Sequence, residues 1–600
     1  MSPARYPLLI FIIFLALSFA AQSPANDQAQ QESLSPIAVD DGDVNRMYDQ
    51  RAWYKAEELT IDPIEYANEA SIPVEDAKAK IVGSSYKDSV FSLAVKIWLI
   101  DHAEHSVDAG YYIFRSDLVG SAFLGALCQA VQRGVDVRML VDSFGSIHPL
   151  HPSLKAFTTC ADNAGQIING DGLLTTRKAR AQSVIFNAIS KVFVNHNRRS
   201  HDKLLIVDGA FPDKSWIMTG GRNITLSYYG FRKDGSKDLS AYKDMEILVK
   251  PKNVSGMTNT VGQTTERYFD ILFSHGTNKQ LNPKLSYRRQ HKKLIESLER
   301  IRQMPDFAKA YNGVPEYLFK DLHPAKIRLA HELGNLVNRN VVSQYDKNIQ
   351  KNTNSIMGMV DRIARIDSGG RPQTIRLVSP YLFIAKYERE DGTVYYDGKE
   401  AIYEWLGKHP GNVLEIVTNS VLTSDNFFAQ AFIDMDTAPR LLLTPEFEEQ
   451  WQQPIKKSEL NPKLVESAEW QEMISNPRIR IYQTGKIDSN LLGGEVAYGK
   501  LHAKFYLSDV VGFVGTTNLD YRSRLFNNEM GYFFTSEELI EDLIEEFETL
   551  KSQSYLWGSP EWLEMRAAVR EKGGFFKSLW TKGQHSTFGK LTRTGLHWLF

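Results

Sequence analysis

The 600-residue chain has almost no cysteine, no surplus of either charge and, past its first twenty residues, no long apolar run. Each shortage excludes something. Two cysteines, Cys128 and Cys160, cannot build a disulfide framework. Neither sits in a context that suits a nucleophile or a metal ligand. Cys128 falls in an apolar helical stretch and is expected as a buried thiol, with a bridge to Cys160 as the alternative in an exported chain. Lys and Arg number 70 against 72 Asp and Glu, a net charge of -2, so the surface is not coated for DNA, although a local basic groove remains open. The one apolar run, Leu8 to Phe19, is short for a bilayer span and suits a secretory leader, with Ser18-Phe19-Ala20 supplying small residues for cleavage. Residues 1–20 are therefore expected to be a signal peptide. The mature chain is expected in the periplasm or secreted, peripheral to a membrane, with an uncleaved anchor as the alternative.

What the chain does have is a duplication. His502, Lys504 and Asp509 follow the pattern H-x-K-x4-D and lead into Gly515-Thr516-Thr517-Asn518 and then Glu529. Some three hundred residues earlier the pattern appears as His201, Lys203 and Asp208, followed by Gly220-Gly221-Arg222-Asn223. Two copies with the same trailing glycine and asparagine point to an internal repeat.

The surrounding sequence reads as α/β. Val107 to Phe114, a helical stretch from Ser121 to Arg133, and Val135 to Asp142 form a strand–helix–strand unit, the mark of a parallel or mixed sheet. Leu204 to Val207 and Ser215 to Thr219 then pair around the first motif, placing His201 and Lys203 on one face. The second half repeats this order with Thr374 to Leu382, Val413 to Asn419, Ala503 to Leu507 and Gly512 to Gly515. The expected architecture is two pseudo-symmetric repeats, each a mixed β-sheet flanked by helices, with the site between them. The expected segments are a linker with short helices over 21–88, a first half over 89–250, a helical insertion over 251–370, a second half over 371–550 and a basic, aromatic segment over 551–600. That last segment suits a membrane surface or, equally, a docked helix that buries its own aromatics.

The chemistry follows from residue types. Histidine can attack, donate or accept a proton near neutral pH. Lysine and asparagine donate hydrogen bonds to an anion. Two such sets facing one phosphorus allow one imidazole to attack in line while the other protonates the leaving oxygen. Lys203, Lys504, Asn223 and Asn518 would hold the phosphate oxygens. A downstream acid, Glu529 in one half and Asp244 or Glu246 in the other, would fix each imidazole's tautomer. No metal and no cofactor is required.

These residues resemble the phospholipase D superfamily, whose signature is the doubled H-x-K-x4-D, over about residues 90–250 and 370–540. Gly220-Gly221-Arg222-Asn223-Ile224, Val417-Thr418-Asn419-Ser420, Leu519-Asp520-Tyr521-Arg522-Ser523 and Asn528-Glu529-Met530 are similar to the bacterial cardiolipin synthase and phosphatidylserine synthase-like branch, especially its C-type cardiolipin synthases. The resemblance implies a phospholipid diester substrate, a water or alcohol acceptor and a phosphohistidine ester. It also implies His201 as nucleophile, His502 as acid, and a structural role for Asp208 and Asp509. The first copy departs from the second by six extra residues between its aspartate and glycine, which a longer hairpin tip absorbs. The competing expectations are an exported phosphodiesterase on DNA or RNA and a non-catalytic membrane-binding scaffold. Oligomeric state is not legible.

Overall fold

Each motif hairpin is the centre of one half of a continuous, sixteen-stranded mixed sheet. The computed structural model describes residues 42–55, 71–147, 151–191, 197–252, 260–282, 285–337, 352–365, 370–388, 391–453 and 461–594. The expected signal peptide and residues 21–41 and 56–70 of the expected linker lie outside them. Among the described residues no helix is long and apolar enough to cross a membrane.

The chain enters the sheet with β1 (Glu75–Val82). The first half contributes β2 (Ser106–Tyr111), β3 (Asp136–Asp142), β4 (Ala181–Phe186), β5 (Lys203–Val207), β6 (Trp216–Gly220) and β7 (Glu246–Pro251). Then come β8 (Lys279–Gln280) and β9 (His323–His331). The second half contributes β10 (Thr374–Val378), β11 (Val413–Thr418), β12 (Ile479–Thr484), β13 (Phe505–Leu507), β14 (Gly512–Gly515) and β15 (Met530–Thr535), and β16 (Ser554–Leu556) closes the far edge.

The order across the sheet is β8-β4-β3-β2-β5-β6-β7-β1-β9-β15-β14-β13-β10-β11-β12-β16. The run from β4 to β7 is thus mirrored by the run from β15 to β12. In both halves two parallel pairings (β2/β3 and β3/β4; β10/β11 and β11/β12) lead into the antiparallel motif hairpin. The parallel strands are connected by helices, as a parallel crossover requires. In the first half α1 (Tyr86–Asp101) precedes β2, and α2 (Leu118–Arg133) links β2 to β3. Asp117 caps the start of α2, and Gly134, at φ 105, ends it in a left-handed turn.

Three expectations are corrected. Cys128 is not a free thiol: it is bridged to Cys160, with the Cα atoms 5.5 Å apart, tying α2 to the turn after the short helix Pro152–Thr158. The end of the expected linker is β1, a central strand paired with both β7 and β9. It reads poorly because Ala and Lys, both helix formers, alternate along it. The expected helical insertion likewise contains β9, whose Ala325, Ile327 and Leu329 are buried while Lys326 and Arg328 on the opposite face break the apolar run. β1 and β9 together join the two halves into one sheet. The six extra residues of the first hairpin fold at its tip, where Phe211 stacks on His105 at 4.0 Å.

Candidate active site

The two histidines lie just ahead of β5 and β13, where each chain leaves the sheet and crosses to the other half. Arg199–Ser200 runs parallel to Asn527–Asn528, and the His201 N–H donates to the Asn528 carbonyl at 2.9 Å. Symmetrically, Lys243 bridges to Leu501, and the His502 N–H donates to the Lys243 carbonyl at 2.8 Å. These crossings put the residue after Asn528, Glu529, beside His201 and the residue after Lys243, Asp244, beside His502.

The acids are therefore exchanged between halves. His201 Nδ1 is 2.8 Å from Glu529 Oε2, and His502 Nδ1 is 2.7 Å from Asp244 Oδ2. The sequence left open which acid faces which histidine, and the structure sets each against the imidazole of the other half. Glu246 serves neither imidazole. It is buried against Lys96 Nζ at 2.6 Å, with Ser92 Oγ and, at 3.2 Å, Arg222 as further partners. Fixing Nδ1 of each ring leaves Nε2 as the free nitrogen.

Electrostatics separate the two rings. Burial depresses the basicity of His201 far below the usual imidazole range, and Lys203, Lys504, His502 and Arg522 depress it further. Its partner Glu529 is pushed up to about 7 by burial, against the pull of Lys203 and the hydrogen bond from Thr516 Oγ1. Both shifts favour a neutral pair. His502 is also lowered by burial and by Lys504, but Asp244 opposes the shift. Asp244 itself ends below the usual carboxylate range: burial raises it, and His502 and Lys504 outweigh that. Asp244, held below the usual carboxylate range, favours a proton on His502, whereas Glu529, raised to about 7, favours one on His201 less.

Lys203 donates to the His201 carbonyl at 2.5 Å, and Lys504 donates to the His502 carbonyl and lies 2.9 Å from Nδ1. Burial lowers Lys203 to about 7, with Glu529 opposing, and Lys504 to about 8, with Asp244 opposing. The asparagines differ. Asn223 accepts from the Ile113 N–H at 2.8 Å and donates to Tyr228 at 3.0 Å. Asn518 is buried with no partner for its Oδ1 among the described residues. Neither motif aspartate touches an imidazole. Asp208 accepts from the N–H groups of Glu104, His105 and Ser106 at 3.0, 2.7 and 2.8 Å, pinning the start of β2. Asp509 is exposed and accepts from Thr374 at the start of β10, at 3.2 Å.

The aromatic lining was not legible from spacing or motif. Tyr112 stands edge-on to His201, with centroids 4.7 Å apart. Tyr228 and Tyr242 do the same to His502, each at 5.2 Å, and the Tyr228 hydroxyl is 3.4 Å from His502 Nε2. Asp425 accepts from Tyr242 at 2.9 Å and from Tyr381 at 2.8 Å. Lone tyrosines carry no motif, and only the fold assembles them. Arg522 lies inside a quoted motif but was given no site role. It lowers His201 and sits over the Phe144 ring at 5.8 Å.

The duplicated sheet thus brings together two crossed histidine–carboxylate pairs, one on each motif. The family profile described as "Cardiolipin synthase, PLD-like domain" matches residues 97–240 and 416–551. Cardiolipin synthase C of Escherichia coli is 32% identical over 161 residues, which is 27% of this chain and 30% of that protein. Cardiolipin synthase 1 of Bacillus cereus is 30% identical over 166 residues, 28% of this chain and 27% of that protein. The alignments thus span under a third of either relative's length. The crystal structure of phosphatidylserine synthase from Haemophilus influenzae has the same fold, with a TM-score of 0.50, 10% identity, and coverage of 89% of this chain and 97% of that one. The two matched regions are thus similar to a cardiolipin synthase, PLD-like domain, and the fold is that of the phosphatidylserine synthase structure.

Proposed function

We propose that the chain transfers a phosphatidyl group between alcohols, or to water, through a phosphohistidine ester. The observation that carries this reading is that each imidazole is held at Nδ1 by a carboxylate of the other half, which leaves Nε2 for the chemistry. Burial and nearby cations disfavour the charged form of His201, and with Nδ1 protonated toward Glu529 its Nε2 carries the lone pair. His502, beside Asp244, is the better supported of the two as a proton carrier.

In the first step His201 Nε2 attacks phosphorus, and the bond from phosphorus to the leaving head-group oxygen breaks. His502 gives its Nε2 proton to that oxygen. Lys203, Lys504 and the unpartnered Asn518 hold the other phosphate oxygens as charge develops. In the second step the acceptor hydroxyl loses its proton to His502 as its oxygen bonds phosphorus. The phosphorus–nitrogen bond then breaks and His201 is restored. Cardiolipin synthase relatives support a phospholipid diester as substrate, with a membrane surface as its setting. The Cys128–Cys160 bridge and the Leu8–Phe19 segment support an exported location, because disulfides persist in oxidising compartments.

The test is incubation of the protein with phosphatidylglycerol and phosphatidylethanolamine vesicles, with and without glycerol, read by mass spectrometry. Cardiolipin or a new phosphatidyl-alcohol, absent with His502→Ala, is expected. Phosphatidic acid alone would make the enzyme a hydrolase. Unchanged lipid together with cleaved plasmid DNA would replace this reading with a nuclease one. Loss of turnover in EDTA would overturn the metal-free scheme.

A further inference from the structure

The end of the chain carries a second functional surface. α3 (Pro560–Lys572) and α4 (Gly574–Thr594) pack against the second half. Trp557 and Trp562 are fully buried there among Trp451 and Trp470. The segment's first tryptophans thus dock on the protein, as one of the two expectations had it, but the start of α4 does not. Phe575, Phe576 and Leu579 are 76, 66 and 54% exposed. Exposing three large apolar side chains on one short turn is costly unless something covers them.

What covers them is indicated by the rest of the helix. Phe575, Leu579, Lys582, Ser586, Lys590 and Arg593 recur at helical spacing and are all exposed, while Thr581, Gln584 and Leu591 face inward. The outward stripe is therefore apolar at its start and cationic beyond. No Asp or Glu occurs after Glu571, and Lys572 adds an exposed charge just before the turn. Aromatic tips followed by cations match the boundary between acyl chains and anionic head groups.

The turn also sits at the rim of the catalytic cleft. Lys577 donates to the Ser424 carbonyl at 2.7 Å, and Trp580 stacks on Phe427 at 5.5 Å. Between those two contacts lies Asp425, the carboxylate that holds Tyr242 and Tyr381, and Tyr242 is edge-on to His502. The exposed turn is thus two residues from a lysine that grips the loop behind the His502 wall.

We propose that the start of α4 is the membrane-contact element of this protein: Phe575, Phe576 and Leu579 enter the acyl boundary of an anionic phospholipid bilayer, and Lys572, Lys582, Lys590 and Arg593 meet its head groups. Docking there sets the cleft mouth against the lipid surface, so a head group reaches the histidines without leaving the interface. The choice of a lipid surface rests on the phospholipid reading above; the position of the wedge does not.

The test uses the full chain and its Phe575→Ser/Phe576→Ser/Leu579→Ser variant in flotation with phosphatidylglycerol-rich vesicles. The expected result is a loss of partitioning of at least about 30-fold, given the apolar area withdrawn. Turnover of a dispersed short-chain phosphatidylglycerol, and the thermal midpoint, should stay unchanged, because the three side chains touch neither the core nor the site. Lys582→Glu/Lys590→Glu should weaken binding to phosphatidylglycerol-rich vesicles and leave binding to phosphatidylcholine vesicles alone. In Phe576→Trp the new indole should shift its emission to shorter wavelength on adding vesicles.

Equal flotation of the triple variant and the wild type would overturn the proposal. So would a wild type that ignores vesicles but forms a dimer that the triple variant lacks, since the turn would then cover a second copy. If the wild type floats through this turn yet transforms no lipid, the wedge stands and the catalytic reading fails.

Discussion

The two halves share strand order, hairpin and motif, yet they surround their histidines differently. Around His201 stand Tyr112, Arg522 and an acid from the far half whose pKa burial raises to about 7. Around His502 stand Tyr228, Tyr242, the carboxylate of Asp425 and an ionised Asp244. Even the motif aspartates diverge, one buried on three backbone N–H groups and one exposed on a single N–H. Duplication has kept the scaffold that sets each imidazole against a carboxylate of the other half, while the surroundings of the two rings have diverged.

The sharpest way to break the comparison is to remove each imidazole. His201→Ala and His502→Ala should each lower kcat by about 10⁴-fold or more on a natural diester, as loss of a nucleophile or acid does. They should separate on an activated diester with a nitrophenol leaving group, which needs no acid. There His502→Ala should accumulate a covalent adduct detectable by intact mass, and His201→Ala should not. An adduct in His201→Ala would reverse the assignment.

The carboxylates should come next. Asp244→Asn removes the charge that supports protonated His502 and should cost about 10²-fold in kcat. Glu529→Gln, which mimics the neutral acid, should cost less. Its stability signature has a definite sign. The Glu529 pKa is raised from 4.5 to about 7 in the fold, so its contribution is full below pH 4.5 and is lost as pH rises through 7. The gap in stability between wild type and Glu529→Gln, followed by denaturant unfolding, should therefore narrow over that window. The cations limit activity from the other side: turnover should fall as Lys203 and Lys504 lose protons at about 7 and about 8. A profile still rising at pH 9 would show that these lysines are not the phosphate clamp.

Smaller effects should follow the two motif aspartates. Asp208→Ala leaves buried N–H groups unpaired and should cost about 2–3 kcal/mol of stability, whereas Asp509→Ala, at an exposed site, should stay within about 0.5 kcal/mol. Chemical unfolding of both variants compares the halves directly. Breaking the Cys128–Cys160 bridge, present only in the first half, should cost about 3–4 kcal/mol in the chain-entropy account of a loop this long. Smallest of all, Tyr228→Phe should slow turnover only several-fold, since it removes one long hydrogen bond to His502.

Much of this molecule was legible in one dimension. The motif residues declared themselves by spacing, and the strands β2, β3, β5, β6 and their counterparts declared themselves by buried apolar runs. β1 and β9 did not, because alternating Ala–Lys and interleaved charges hide a period of two. Whether Cys128 and Cys160 are bridged was not legible, since a pair separated by 32 residues has no local signature. The tyrosine wall was silent for the same reason.

The sequence by itself marked which groups could do the chemistry and that there are two sets of them. Residue type and short-range pattern carry that information, and neither depends on where the chain goes next. Only the tertiary structure decided which acid serves which imidazole. Those pairings span 328 and 258 residues, and they arise because each motif segment crosses to pair with the backbone of the other half. Spacing along a chain cannot encode such an exchange; it exists only once the two halves meet.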